Sequence, residues 1–300
     1  MELTGLHLLM TYLCTAECDH CFVWGSPWQS GTMTLADIGQ ILDQAEELGK
    51  VRSIYFEGGE PFLFYAAMLA GIRMAHNRGF QTGIVTNSYW ATSEQDALEW
   101  LRPFEGLISD LSISSDLFHA NEEMSAEARN AQAAAKALGI STGVISVAQP
   151  DTDEAAPAEG QLPPGESQVM CRGRASSTLV DRFDYSNRDQ FNDCPFENLR
   201  DPGRMHIDPL GHLHICQGIS LGNLFQEPIK DICINYDPDS HAISGPLLAG
   251  GPAELVRRYD LDLRENYVDA CHLCYLARVA LRARFPDILT PDQMYGVFNE

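Results

Sequence analysis

A short apolar run followed by an amphipathic one recurs five times between residues 6 and 147, and few folds satisfy that alternation. Leu6–Leu13, Val51–Phe56, Gln81–Thr86, Leu107–Ser114 and Ile140–Val147 read as strands. After the first, Thr34 is placed to cap a helix in which Leu35, Ile38, Ile41, Leu42, Ala45 and Leu48 share one face, and Gly49 ends it. Phe64–Asn77, Glu94–Leu101 and the Ala-rich Glu123–Leu138 read as the later helices. Strand, helix, strand in one sheet implies parallel strands joined by right-handed crossovers. With the apolar run Ser177–Asp181 as a last strand, six units are expected, short of a closed eight-fold barrel. The expected fold class is α/β, a partial (β/α)6 TIM-like barrel.

In such folds reactive groups gather where the strands end. Cys14-Thr-Ala-Glu-Cys18-Asp-His-Cys21, Gly58-Gly59-Glu60, Thr86-Asn87-Ser88 and Ser112–Asp116 all fall at those ends. Three thiolates in one loop suit an iron–sulfur cluster with one iron left without a protein ligand. On spacing alone a zinc site or three core cysteines compete, although structural zinc wants four ligands and His20 is crowded by its cysteine neighbours.

The chain has nine cysteines, at 14, 18 and 21 and then at 171, 194, 216, 233, 271 and 274, a distribution that suggests two separate sites. The N-terminus lacks the charge and cleavage pattern of a signal peptide, so a cytoplasmic protein is expected and metal or redox chemistry outranks disulfides. No apolar run approaches the ~20 residues of a membrane helix. The formal charge of −22, from 42 acidic and 20 basic side chains, argues against nucleic acid and anionic membranes as partners.

Glu57-Gly58-Gly59-Glu60-Pro61 closes the second strand level with the cysteines that close the first. On this pair of motifs residues 5–185 resemble the radical S-adenosylmethionine superfamily. The resemblance implies a [4Fe–4S] cluster on Cys14, Cys18 and Cys21 whose open iron is chelated by S-adenosylmethionine. Reductive cleavage of the sulfonium would give a 5′-deoxyadenosyl radical that takes hydrogen from a substrate. An external flavodoxin- or ferredoxin-like electron donor is implied as well. Gly58 and Gly59 would let the backbone approach the methionyl group, and Glu60 would help hold it. His20 stands where the family usually has Tyr, Phe or Trp, and with Phe22 is a candidate adenine contact. Asn87, Ser112 and Ser114 resemble cofactor contacts at the third and fourth strand ends, with turn and capping roles equally open. Asp116 and His119 are the catalytic candidates, as proton acceptor or substrate clamp, against a plain helix cap. Arg172 and Arg174, in Cys171-Arg-Gly-Arg-Ala175, resemble an element that meets the cofactor carboxylate; a surface salt bridge competes.

Gln149–Ser167 reads as a mobile loop or lid, or as disorder. Beyond Phe183 the texture changes. Met205–Asp208 and His212–Cys216 form a hairpin pattern around Pro209-Leu210-Gly211, and helices are expected over Pro252–Tyr259, Cys271–Arg284 and Pro291–Phe298. Cys194, Cys216, Cys271 and Cys274 resemble the twitch domain, a shortened relative of the SPASM domain. The chain is thus expected to divide into a barrel, 1–185, and a small α+β extension, 186–300, carrying a second, auxiliary [4Fe–4S] cluster. Zinc in these thiolates, or Cys171 in place of one of them, is the alternative, and Cys233 reads as core.

A fully ligated auxiliary cluster favours electron transfer, hence dehydrogenation or oxidative bond formation. The chain begins at the first strand with no leader-binding module, which favours a small-molecule substrate. The alternative is a maturase acting on a short peptide. A non-catalytic electron carrier would leave Gly-Gly-Glu-Pro idle.

Overall fold

The structure, a computed structural model, describes residues 1–121, 124–150 and 165–298. Most of the expected loop 149–167, and the expected start of the Ala-rich helix at Glu123, lie outside the described residues. Six parallel strands stand side by side in chain order: β1 (Leu3–Leu9), β2 (Ser53–Glu57), β3 (Gln81–Thr86), β4 (Asp110–Ser114), β5 (Ser141–Val147) and β6 (Gly165–Ser167). Helices α1 (Leu35–Leu48), α2 (Tyr65–Asn77), α3 (Glu94–Leu101) and α4 (Ala126–Ala137) make the connections. Thr34 and Asp37 form a capping box on α1, and Gly49 closes it at φ 70°, a conformation that favours glycine. Ile38, Ile41, Leu42 and Ala45 are the face it buries.

The strands carry two different faces. Leu6 and Leu8 of β1, Ile54 and Phe56 of β2, and Leu111 and Ile113 of β4 are fully buried. The alternate positions, Gly5 and His7, Tyr55 and Glu57, Ser112 and Ser114, line a cavity of about 590 Å³. Parallel strands buried on both faces are apolar throughout; the polar inner face here marks a barrel that encloses a site.

The later elements are α5 (Ala175–Thr178), β7 (Ser186–Asn187), β8 (Gly203–Ile207), β9 (His212–Cys216), β10 (Ile219–Asn223), α6 (Ile229–Asn235), α7 (Ser244–Arg258), β11 (Asn266–Tyr267) and α8 (Ala270–Leu281). The expected hairpin is present as β8 and β9, but it joins the barrel sheet. β8 pairs parallel with β1, giving the order β10-β9-β8-β1-β2-β3-β4-β5-β6. This covers an edge of β1 that would otherwise be open.

Three expectations need correction. The first strand runs over Leu3–Leu9, not Leu6–Leu13; the chain then turns so that Thr11 and Leu13 bridge to Thr32 and Ser26 within the cysteine loop. Ser177–Asp181 is not the last strand. Hydroxyls of Ser176 and Ser177 bond back to the Gly173 and Arg174 carbonyls and hold α5, while β6 takes the edge of β5. Pro291–Phe298 makes one 3-10 turn, Asp292–Tyr295, ended by Gly296 at φ 66°, where Trp24 packs against it.

Candidate active site and metal centres

Cys14, Cys18 and Cys21 line the barrel cavity together with Gly58, Gly59 and Asn87. Backbone N–H groups of Ala16 and Gly25 donate to Cys14 Sγ and Cys21 Sγ, at 3.4 and 3.2 Å. Burial pushes the Cys14 thiol up to about 12 and raises Cys18 and Cys21, with neighbouring negative charge adding to it at Cys14 and Cys18. Such a set loses its protons to a metal rather than to water.

The glycines have a reason beyond room for a cofactor. Gly59 N donates to Thr11 O, and a Cβ on Gly59 would overlap the Leu13 carbonyl. Gly58 sits at φ 148°, with its Cβ position 2.5 Å from Thr11 O. The end of β2 and the cysteine loop therefore approach backbone to backbone.

Glu60 is not among the residues lining the cavity. It is fully buried, and its carboxylate accepts from Asn87 N (2.8 Å), Thr86 Oγ1 (2.9 Å) and Phe62 N (3.0 Å). It ties the end of β2 to the end of β3. Asn87 in turn reaches across to Thr15 Oγ1 at 3.0 Å and Cys14 Sγ at 3.6 Å.

Arg174 also points away from the cavity. Its guanidinium donates to Cys18 O (2.7 Å) and Gly25 O (2.8 Å), and Trp24 lies under it at 5.5 Å. Gly173, at φ 59°, lets its backbone lie against Cys21 and Phe22. The Cys171–Ala175 segment is a clamp on the cysteine loop.

His20, Phe22, Ser112 and Ser114 line the cavity. Among the described residues the buried Nδ1 of His20 has no hydrogen-bond partner, which suits a bound group, while its ring packs on Phe118 at 4.7 Å. Ser112 donates to Asp110 Oδ2 at 2.8 Å. Asp116 and His119 come together: His119 Nδ1 lies 2.8 Å from Asp116 Oδ1. Asp116 also accepts from the backbone N–H groups of Phe118, His119 and Val147. Burial works against its charge, but His119 and His20 hold its carboxyl below the ordinary value. Asp116 orients His119.

The family model of the radical SAM superfamily matches residues 8–155, a stretch that starts at the end of β1 and contains this loop and β2 to β5. The chain belongs to the radical SAM superfamily. S-adenosylmethionine and a [4Fe–4S] cluster are its cofactors, and the three cavity thiols with their N–H donors fit that cluster.

Among curated relatives, the Bacillus subtilis protein YfkA is 32% identical over 108 residues, 35% of this chain and 28% of YfkA. YydG of the same organism, whose name assigns it to peptide biosynthesis, is 27% identical over 118 residues, 39% of this chain and 37% of YydG. A Pyrococcus furiosus protein named as modifying the cofactor of a tungsten-containing aldehyde ferredoxin oxidoreductase is 34% identical over 90 residues, 30% of this chain and 25% of its own. The chain thus matches well under half the length of each relative. Among solved structures, BtrN with AdoMet and 2-DOIA aligns at a TM-score of 0.46 and 14% identity, covering 78% of this chain and 84% of BtrN. Streptococcus suis SuiB with the precursor peptide SuiA aligns at 0.42 and 12%, covering 90% and 76%. Neither likeness bears on the substrate.

In this radical SAM enzyme the late cysteines gather in a second, enclosed place. Cys194, Cys216, Cys271 and Cys274 line one small cavity with Arg172 and Arg278. Cys194 follows β7, Cys216 ends β9, and Cys271 and Cys274 lie in the first turns of α8, which Asp269 caps through His272 N. Burial pushes Cys194 up to about 12 and raises Cys271 and Cys274. Cys171 does not line this cavity; its N–H donates to Asp269 at 2.9 Å. Cys233 is buried in the core of α6.

Arg172 stands between the two cavities. It lines both, as do Phe196 and Glu197. Its guanidinium bonds Glu197 at 3.1 Å and Cys216 Sγ at 3.3 Å. The sequence missed the inner face of the barrel: His7, Tyr55, Glu57, His206 and Gln217 all line the main cavity. The signal was available as polar residues at alternate positions of β1 and β2.

Proposed function

We propose that this radical SAM enzyme oxidises a substrate held in the barrel cavity, with an auxiliary cluster on Cys194, Cys216, Cys271 and Cys274 as the electron acceptor. The observation that carries the reading is the pair of buried arginines at the four thiols. Among the described residues the Nε–H groups of Arg172 and Arg278 are buried without a hydrogen-bond partner, beside a set of four thiols. Unpaired buried donors cost free energy, and an anionic cluster with four thiolates would supply both their acceptor and their counter-charge. A neutral zinc-free core would leave them orphaned.

When bound, the first cluster and S-adenosylmethionine supply the hydrogen-abstracting radical, and the auxiliary cluster supplies a place for the remaining electron. The chain's own residues do the rest. Glu60, Asn87 and Arg174 hold the cysteine loop on the ends of β2 and β3. Asp116 fixes the His119 ring by its Nδ1 and leaves Nε2 as the proton-accepting atom beside the cavity. Arg172, Phe196 and Glu197 are the wall an electron crosses. A small molecule is the leading substrate class, held in the part of the cavity that the cluster and S-adenosylmethionine leave open. The resemblance to YydG favours a short peptide as the second reading.

Anaerobic reconstitution should load about eight irons per chain, two four-iron clusters. Cys271→Ala should lower this to about four while 5′-deoxyadenosine formation without substrate persists; Cys14→Ala should abolish that product. A wild-type count of about four with one zinc would overturn the auxiliary cluster. Comparing the low-molecular-mass and peptide fractions of an extract for stimulation of 5′-deoxyadenosine separates the two substrate readings.

A further inference from the structure

His7 of β1, Glu57 of β2 and His206 of β8 come from three adjacent parallel strands, with His7 and His206 in register. All three line the main cavity. Glu57 Oε1 lies 3.2 Å from His7 Nδ1 and 2.9 Å from His206 Nε2, and the three ligand atoms fall within 4.8 Å of one another. Metal–ligand bonds of about 2.1 Å at tetrahedral to octahedral angles put neighbouring donors about 3.0–3.4 Å apart; the two carboxylate–imidazole distances are close to that range, and the two imidazole nitrogens lie within 4.8 Å of each other.

The frame around the set is built. The His7 ring stacks on Tyr55 at 4.8 Å and 10°, and His206 packs edge-on to His7 at 5.3 Å. Tyr55 bonds to Asp110 and occupies the space that a side chain at position 83 would need, where the chain has Gly83. Gln217 Nε2 lies 3.3 Å from His206 Nδ1; turning the Gln217 amide over would set its Oε1 there to accept from Nδ1–H, the tautomer that frees His206 Nε2 to ligate. Among the described residues Glu57 Oε2 takes no hydrogen bond, so the carboxylate is uncommitted apart from the two imidazoles. The other grouping of this kind, His20, Asp116 and His119, differs: backbone N–H groups already occupy both Asp116 oxygens.

We propose that His7, Glu57 and His206 form a mononuclear site for a divalent transition metal on the wall of the barrel cavity. Two imidazoles and one carboxylate suit Zn²⁺, Fe²⁺, Co²⁺ or Mn²⁺ and leave coordination positions facing the cavity for an oxygen or nitrogen donor of the substrate. All three residues line the same cavity as Cys14, Cys18 and Cys21. The site stands apart from the oxidative reading above, which needs no third metal.

The test uses the reconstituted holoprotein, stripped of loose metal by a chelator and incubated anaerobically with Co²⁺. The wild type should retain about one cobalt per chain with its iron unchanged. Its cobalt K-edge X-ray absorption should show nitrogen and oxygen ligands with imidazole scattering and no sulfur. Glu57→Gln and His206→Ala should lower cobalt affinity by at least about tenfold at full iron loading. Absence of cobalt from fully iron-loaded wild type, sulfur ligation of the cobalt, or unchanged affinity in Glu57→Gln would overturn the site. Because the wild-type spectrum decides by itself, a variant that fails to fold does not protect the proposal. Formation of 5′-deoxyadenosine is read in the same samples, and its loss would count against the radical chemistry and not against this site.

Discussion

Replacing Arg174 by Lys separates a residue that holds the cysteine loop from one that holds S-adenosylmethionine. Arg174 is 5% exposed, and its guanidinium spans two carbonyls, Cys18 O at 2.7 Å and Gly25 O at 2.8 Å. A lysine ammonium is a point donor and cannot bridge both with the planar fork geometry. One charge-assisted bond is lost, worth roughly 1.5–3 kcal/mol when its buried acceptor goes unmet. The stacking on Trp24 weakens as well, worth about 0.5–1 kcal/mol. The sum is about 2–4 kcal/mol, concentrated on the loop that presents Cys18 and Cys21. Urea unfolding of the iron-free protein should therefore show a lower midpoint at unchanged slope. Iron after reconstitution should drop toward the complement of the auxiliary site. If Arg174→Lys keeps its stability and its iron and only raises the KM for S-adenosylmethionine, the clamp argument is wrong and Arg174 acts on the cofactor.

Three further outcomes concern the ends of β2 and β3, against which this loop packs. Ser88 sits at φ 63° and its buried hydroxyl has no partner among the described residues, so Ser88→Gly should raise stability by about 1 kcal/mol in thermal or urea unfolding; a loss would mean the hydroxyl is satisfied. Gly59→Ala drives a methyl into the Leu13 carbonyl and should cost about 3 kcal/mol or more and abolish the first cluster by iron count and EPR; full loading would refute the close approach. Burial pushes the Glu60 carboxyl up to about 7 even though three hydrogen bonds favour its charged form. The folded protein then holds this proton where the unfolded chain has released it. The resulting stability is fully present below the ordinary carboxylate range and is lost as pH rises through about 7. Glu60→Gln should remove that slope, on the order of a few kcal/mol, from stability measured between pH 5 and 8; an unchanged pH profile would refute it.

The order of elements was legible because each depends on residues close in sequence. The Thr34 cap, the buried stripe of α1 and the Gly49 stop lie within one turn or a few. The same holds for the cysteine loop, whose three thiols share one short segment. Ser177–Asp181 was misread because an apolar run does not say whether a sheet edge is free; β6 had taken it.

Local spacing determined that three cysteines share the loop after the first strand, that Gly58 and Gly59 follow the second, and that six more cysteines come late. What those residues do for one another was decided by tertiary structure. Arg172 and Arg174 are two positions apart and read as one motif, yet one faces the four-cysteine cavity and the other grips the cysteine loop. His7 and His206 carry no motif, and His206 meets His7 and Glu57 only because β8 pairs beside β1. Periodicity reports which face a side chain takes, but which chain segment lies opposite depends on contacts between distant residues, and those exist only once the sheet has formed.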